Sequence, residues 1–339
     1  MMKPVATHQA SEHGIFPFPE GKTSGWKAVL SFTLCMVASL VLYQLVFSLV
    51  RKPYSIGIYP AMIEAKLANW RAKPAPRLLV VAGSNARISH QAQVFEEVLG
   101  IPATNGGLTA DLSLEFLLHI YEPELERGDI LYLPLEYDPL ATRTSRTKSE
   151  RLYLAAYNRE VLARFAWKDR LESLFCFELG DLFAEPLEIL AARSGKSVNR
   201  RSQMNKWGDQ IGYTEESAEP YRQGIMESKP GPLPIGADIS KRPSSVRLLE
   251  SFVERCKAKG IVVIGGLPTT FDDREVSSEL ISEIEKIYRS RGQYFIQLPN
   301  QSQYPRDQFY DSPYHLNESA AETHTRLLAE MIKPFIRPR

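Results

Sequence analysis

The chain has 339 residues, with 41 Lys+Arg set against 40 Asp+Glu, so it carries no basic field and no electrostatic case for a nucleic-acid partner. Its three cysteines, Cys35, Cys176 and Cys256, lie far apart in sequence and fit neither a disulfide framework nor a zinc-ligand spacing. They read as small buried hydrophobes.

Residues 1–27 are polar and interrupted by Gly14, Pro17, Pro19 and Gly21, and read as a flexible N-terminal tail. Residues 28–50 then run without a charge, about the 20 residues that a membrane-crossing helix needs. Trp26-Lys27 and Arg51-Lys52 flank the run as interface anchors. A cleaved signal peptide is the alternative, but the run is too long, starts too late and lacks a small-x-small cleavage site. Lys3, Lys22 and Lys27 precede it, and Arg51, Lys52 and Lys66 follow it, so loop charge barely orients the helix. A single N-terminal anchor with a short tail is expected to put the large domain outside the cytoplasm. Residues 51–76 read as a linker with a short helix near 61–70, closed by Pro74-Ala75-Pro76.

The main domain, 77–339, opens on an apolar run at 78–82 followed by Gly83-Ser84-Asn85. Such a run predicts a strand buried on both faces, turning directly into a helix. A helix is predicted over 91–99, a second strand over 101–104 ending in Asn105-Gly106-Gly107, and a helix over 112–121 capped by Asp111. The third strand, 130–135, leads into Glu136-Tyr137-Asp138-Pro139. Strand and helix alternating in this way is the pattern of parallel βαβ units. Residues 148–193 keep a helical spacing, while 194–242 are rich in Gly, Pro, Ser and Asn without periodicity. Together, about 148–242 read as a helical and irregular insertion, and Asn205-Lys206-Trp207-Gly208-Asp209 is too particular for a plain linker. The alternation resumes with a helix over 244–259, a fourth strand over 261–264 and a helix over 273–291 with Gly292 as C-cap. A fifth strand over 294–298 precedes Asp311 and His315, and Asn317 is a candidate cap for the last helix, through about 332.

A parallel sheet brings the carboxyl ends of its strands to one edge, where ligands bind. Ser84, Asp311 and His315 would meet there as nucleophile, orienting carboxylate and base. The N–H groups of Ser84 and of Gly106 or Gly107 would supply an oxyanion hole. Of the other histidines, His8 and His13 fall in the tail, and His90, His119 and His324 have no carboxylate close by after a strand.

With Gly83-Ser84-Asn85 after the first strand, Asn105-Gly106 after the second and Asp311 followed by His315-Leu316-Asn317, the chain resembles the SGNH (GDSL-like) hydrolase superfamily. More narrowly, it resembles membrane-anchored bacterial members that act in O-acylation of surface polysaccharides or teichoic acids. The resemblance spans about 77–332. It implies an α/β fold, a three-layer flavodoxin-like (SGNH-type) parallel sheet with a helical insertion, preceded by the transmembrane helix. It also implies a Ser84–His315–Asp311 mechanism with no cofactor and no metal. Asn85, Asn105, Gly106, Gly107, Glu136 and Tyr137 would be the oxyanion or substrate-binding residues. The substrate would be a carbohydrate polymer or an acyl donor, at the inner (cytoplasmic) membrane of a bacterium with the main domain periplasmic. Pro134-Leu135-Glu136-Tyr137 and the 205–209 phrase are similar to those of anchored relatives linked to exopolysaccharide biosynthesis, which points to polysaccharide-machinery membrane proteins as partners.

Three departures keep alternatives open. The usual motif is Gly-x-Ser: aligned on Gly83 it puts Asn85 in the nucleophile's place, and aligned on Ala82 it puts Ser84 there. Three residues separate Asp311 from His315 where two are usual. Glu136-Tyr137 stands where an asparagine would serve the oxyanion, so Glu136 is expected to point elsewhere or to be protonated. The reading is an esterase or O-acyltransferase; the alternative is a catalytically inactive accessory or scaffold subunit of an exopolysaccharide synthesis, modification or export complex.

Overall fold

The longest uncharged run forms one continuous helix, Gly25–Ser48, in a computed structural model that describes residues 25–48, 59–110, 112–141, 146–178, 180–181 and 204–336. The tail before Gly25, the last two positions of the expected span (49–50), the proposed cap Asp111 and residues 182–203 of the insertion lie outside the described residues. The chain divides into two compact units, 1–49 and 50–339.

In the first unit, the stretch Gly25–Phe47 has a mean hydropathy of 2.1 and is long and apolar enough to cross a membrane once. Its large side chains, among them Val29, Phe32, Val37, Leu42 and Leu45, are exposed all round and form no single stripe. A helix apolar on every face needs an apolar surrounding. Thr33 and Ser39 return their hydroxyls to the carbonyls of Val29 and Cys35 one turn back, at 2.9 and 2.8 Å, so they present no free donor.

In the second unit, five strands form a wholly parallel sheet. They are β1 (Leu78–Val80), β2 (Ala103–Asn105), β3 (Ile130–Leu133), β4 (Val262–Gly265) and, after the short β5 (Thr270–Phe271), β6 (Tyr294–Phe295). Their order is β2-β1-β3-β4-β6, and β5 pairs separately with β7 (Gln303–Tyr304). All three residues of β1 and all four of β3 are buried, so both faces of the sheet are covered. That is why these strands read as apolar runs and not as alternations. The chain leaves β1 towards β2 and then crosses back to β3, so neighbouring connections part at the carboxyl ends of β1 and β3, where a crevice opens.

Helix Glu318–Ile332 packs on helices Ser84–Ser89 and Ala92–Leu99, and helix Ser244–Ala258 packs on Leu114–Tyr121 and Ser278–Arg289. The last helix starts as expected, with Asn317 Oδ1 accepting the Ala320 N–H at 3.0 Å. Helix Leu114–Tyr121 is capped by Ser113, whose hydroxyl accepts the Phe116 N–H at 3.2 Å.

Within the stretch expected as a linker, residues 51–58 lie outside the described residues and residues 59–76 pack into the domain. Helix Tyr59–Arg71 buries Met62, Ile63, Leu67 and Trp70 in the main core. Arg77 lays its guanidinium 3.8 Å from the Trp70 ring centroid, and Arg71 pairs with Glu124. The same helix buries Lys66, whose Nζ donates to the carbonyls of Asn105 (2.8 Å) and Gly208 (2.7 Å). Burial pulls the pKa of Lys66 down to about 7, against the opposing pull of Asp209.

The described parts of the insertion are also more regular than its composition suggests. Helices Lys148–Tyr157, Arg159–Leu162 and Trp167–Leu174 follow one another, and Arg146 ties the first and third of them to helix Leu114–Tyr121 by meeting Glu150, Asp169 and Glu115. The aperiodic stretch carries helix Glu215–Glu227, begun by a Thr214 cap, and the short helix Gly236–Ser240. Residues Asn205 to Asp209 form a clasp. Asn205 Oδ1 accepts the N–H groups of Trp207 (2.9 Å) and Asp209 (3.0 Å), and the Asp209 carboxylate accepts those of Ala92 (2.5 Å) and Gln93 (3.1 Å). A side chain far away in sequence thus caps helix Ala92–Leu99, whose own N-cap, Gln91, makes no side-chain cap.

Candidate active site at the carboxyl edge of the sheet

β1 runs through Ala82 and Gly83 into helix Ser84–Ser89, and Glu136 follows β3 next to it. The Glu136 carboxylate reaches across and accepts the N–H groups of Gly83 (Oε2, 3.1 Å) and Asn85 (Oε1, 3.0 Å). A Cβ on Gly83 would lie 2.6 Å from Glu136 Oε1, so position 83 is glycine because the carboxylate fills that space. Burial raises the Glu136 pKa, while those two N–H donors and the nearby His315 act in the opposite direction. Of the two alternatives expected for Glu136, pointing elsewhere is corrected, since it sits on the motif itself, and the upward pKa shift is in the direction of the other, protonation.

Asn85 is wholly buried. Its Nδ2 donates to the Pro134 carbonyl at 2.9 Å, and its Oδ1 accepts the Thr269 N–H at 3.2 Å and lies 2.8 Å from Thr269 Oγ1. The side chain ties together the segments that follow β1, β3 and β4, so it faces neither substrate nor solvent. Ser84 is 8% exposed and lines a cavity of about 150 Å³ together with Glu136, Asp138 and a largely apolar wall. Of the two motif alignments, only the one on Ser84 presents a nucleophilic atom type to open space.

Asp311 and His315 come together although three residues separate them. An antiparallel bridge between Phe309 and Leu316 closes the loop, and the Tyr310 N–H donates to the His315 carbonyl at 2.7 Å. Inside it, His315 Nδ1 lies 2.5 Å from Asp311 Oδ1. A neutral imidazole in this pair carries its proton on Nδ1, which leaves Nε2 a bare acceptor. Nε2 is buried and has no hydrogen-bond partner, so it is not bonded to Ser84 Oγ here. The loop is docked on the Ser84 helix by Ser89, which sequence reasoning missed. Ser89 Oγ donates to the Tyr314 carbonyl at 2.8 Å and accepts the Leu316 N–H at 2.9 Å. Thr269 Oγ1 lies 3.1 Å from Ser89 Oγ and 2.9 Å from the same carbonyl.

The glycine N–H groups expected as oxyanion donors are committed elsewhere. The Gly106 N–H donates to the Val80 carbonyl at 2.8 Å, and the Gly107 N–H donates to Asn105 Oδ1 at 2.9 Å. Asn105 is wholly buried, and its Nδ2 donates to the carbonyls of Ala86 (2.9 Å) and His90 (2.8 Å), closing the end of the Ser84 helix. Gly107 is glycine because the backbone of that helix passes there: a Cβ would lie 2.1 Å from Arg87 N. Tyr137 is wholly buried, its hydroxyl has no partner, and burial raises its pKa. Gly106, Gly107, Asn85, Asn105 and Tyr137 thus build the site's frame. The donor left at the candidate nucleophile is the N–H of Ser84, which as the first residue of its helix has no intrahelical acceptor.

The remaining core histidines stand apart from this chemistry. His90 and His324 pack with ring centroids 5.0 Å apart, and burial lowers both pKa values, that of His90 to about 4. Among the described residues, no group of three or more His, Cys, Asp or Glu is placed to hold a metal ion. In comparison with known proteins, no family model, no curated protein and no solved structure matches the chain.

Proposed function

We propose that this chain is a membrane-anchored, SGNH-like serine esterase or O-acyltransferase that acts on an extracytoplasmic polysaccharide. The observation that supports the reading is the Asp311–His315 pair, whose loop is docked by Ser89 on the helix that begins at the cavity-lining Ser84. The strand order, 2-1-3-4-5 along the main sheet, is that of the flavodoxin-like sheets the resemblance implies. The helix Gly25–Phe47 fits a single-pass anchor in a bacterial inner membrane with the catalytic domain on the periplasmic side.

In this reading Ser84 Oγ attacks the acyl carbonyl as His315 Nε2 takes its proton, and Asp311 holds the imidazolium. The Oγ–C bond forms, the bond to the leaving oxygen breaks, and that oxygen takes the proton from His315. Water or a sugar hydroxyl then attacks the acyl-serine and gives its proton to Nε2, and the C–Oγ bond breaks as Ser84 Oγ takes that proton back. Hydrolysis and transfer differ only in that second nucleophile. The Ser84 N–H supports the developing oxyanion, and Glu136, when protonated, adds a second donor next to it.

A second reading, an inactive accessory subunit of an exopolysaccharide complex, is favoured by the same Glu136 contacts. With Gly83, Asn85, Gly106 and Gly107 N–H groups all engaged, an ionised Glu136 opposes an oxyanion at Ser84. The test is a fluorophosphonate reaction on the detergent-solubilised full chain, with the adduct mapped by mass spectrometry, alongside p-nitrophenyl ester turnover. An adduct on Ser84 and turnover lost in Ser84→Ala support the enzyme. No adduct and no turnover in the wild type favour the accessory subunit.

A further inference from the structure

The cavity beside Ser84 is larger and greasier than an acetyl group requires. Its volume is about 150 Å³, and beyond Ser84, Glu136 and Asp138 its walls are largely apolar, with Leu112, Leu114, Leu117, Leu135 and Pro139 prominent. An apolar cavity of roughly this size stays dry and takes up a guest as large as benzene, about six carbons. A two-carbon acyl group would leave most of it empty and forfeit the contacts its leucines offer. These side chains are held firmly: Leu114 and Leu117 belong to helix Leu114–Tyr121 and are almost wholly buried, and Leu135 directly precedes Glu136, whose carboxylate grips the motif backbone.

We infer that the cavity is an acyl-chain pocket, and that the acyl group handled at Ser84 is a straight chain of about four to six carbons. This rests on the acyl-transfer reading of Ser84 and adds a substrate class to it. Each further methylene that enters the pocket removes apolar surface from water and raises kcat/KM roughly fourfold, until the far wall is reached at about six carbons. Beyond that length the wall has to move and the rate falls. Leu117 is the specificity-determining residue: its side chain lines the cavity from a helix that contributes no group to the chemistry.

The experiment compares kcat/KM of the solubilised full chain on p-nitrophenyl acetate, butyrate, hexanoate and octanoate, for the wild type, Leu117→Phe and Leu117→Ala. Labelling of Ser84 by ethyl and hexyl fluorophosphonates is followed in parallel, and thermal melts verify that each variant is folded. The expected result is a wild-type optimum at butyrate to hexanoate, at least tenfold above acetate. Leu117→Phe moves that optimum to a shorter chain and Leu117→Ala to a longer one, so failure of one variant to fold leaves the other to decide. Ser84-dependent turnover that favours acetate, or a profile unmoved by both substitutions, overturns the pocket while the esterase reading stands. Absence of any Ser84 adduct with either probe overturns both together.

Discussion

The Oδ1 of Asn85 lies 2.8 Å from the Oγ1 of Thr269, and the Thr269 N–H donates to the same oxygen. Position 85 is thereby fixed as a structural staple while its neighbour Ser84 faces the cavity, and the two can be separated by stability. Asn85→Ala leaves the Thr269 N–H and the Pro134 carbonyl buried without partners and is expected to cost about 2–3 kcal/mol. Ser84→Ala removes a hydroxyl that makes no hydrogen bond among the described residues and is expected to stay within about 0.5 kcal/mol of wild type. Thermal melts of the full chain in detergent check both; an Asn85→Ala protein as stable as wild type contradicts the staple.

In the acyl-transfer reading, the Asp311–His315 contact would give Asp311 the task of fixing the imidazole tautomer. In the proposed enzyme, Asp311→Asn is expected to lower kcat roughly 10³–10⁴-fold, with little change in melting temperature because the carboxylate is one-third exposed. The measurement is turnover of p-nitrophenyl butyrate. A loss below about tenfold would mean that the imidazole is oriented by other contacts.

Glu150 provides a pH test away from the site. Burial pushes its pKa up to about 7, against its bonds from Ser113 and the nearby Arg146. A carboxyl with a raised folded pKa contributes stability that is fully present below its unfolded value, near 4.5, and is lost as pH rises through about 7. Wild type is therefore expected to lose of order 3 kcal/mol relative to Glu150→Gln between pH 4.5 and 8. Paired melts at a series of pH values check this. A wild-type-minus-variant difference that stays flat across the range contradicts it.

Asp209 caps a helix from across the fold and lies close enough to Lys66 to influence its charge. Asp209→Ala leaves two helix N–H groups and a buried lysine without their acceptor and counter-charge, for an expected cost of about 3–5 kcal/mol. Asp273, paired with Arg306 but more than half exposed, is the contrast, and Asp273→Ala is expected to cost about 1 kcal/mol or less. Equal melting temperatures for the two variants would remove the clasp argument.

Much of the scaffold was legible from composition alone. Parallel strands covered on both faces must be apolar throughout, so β1, β3 and β4 stood out as runs, and an uncharged stretch of membrane length marked the helix Gly25–Ser48. Contacts between distant segments were not legible. Helix Tyr59–Arg71 hides a lysine on its buried face, which breaks the amphipathic pattern, and only the carbonyls of Asn105 and Gly208 explain it. Helix Glu215–Glu227 contains Pro220 and Gly224, which read as breakers, although Pro220 falls within its first two turns. At the site, the types of Ser84, Asp311 and His315 were readable, and so was the anomaly of Glu136. That the Gly106 and Gly107 N–H groups are already taken depends on Val80 and on the rotamer of Asn105, which no spacing encodes. Ser89 and Thr269 had no signal beyond being small hydroxyl residues near a turn.

Ser89 joins a helix near the start of the domain to a loop near its end, and in the proposed enzyme this would set the order in which the protein becomes competent during biosynthesis. The serine motif emerges early, but its imidazole partner is held only after Leu316 and the final helix have followed and docked. A nascent or C-terminally clipped chain would carry the hydroxyl with no base beside it. The proposed chemistry would thus be withheld until the whole polypeptide has been delivered, and proteolysis before Phe309 is expected to abolish any Ser84-dependent turnover while leaving β1, β2 and β3 intact.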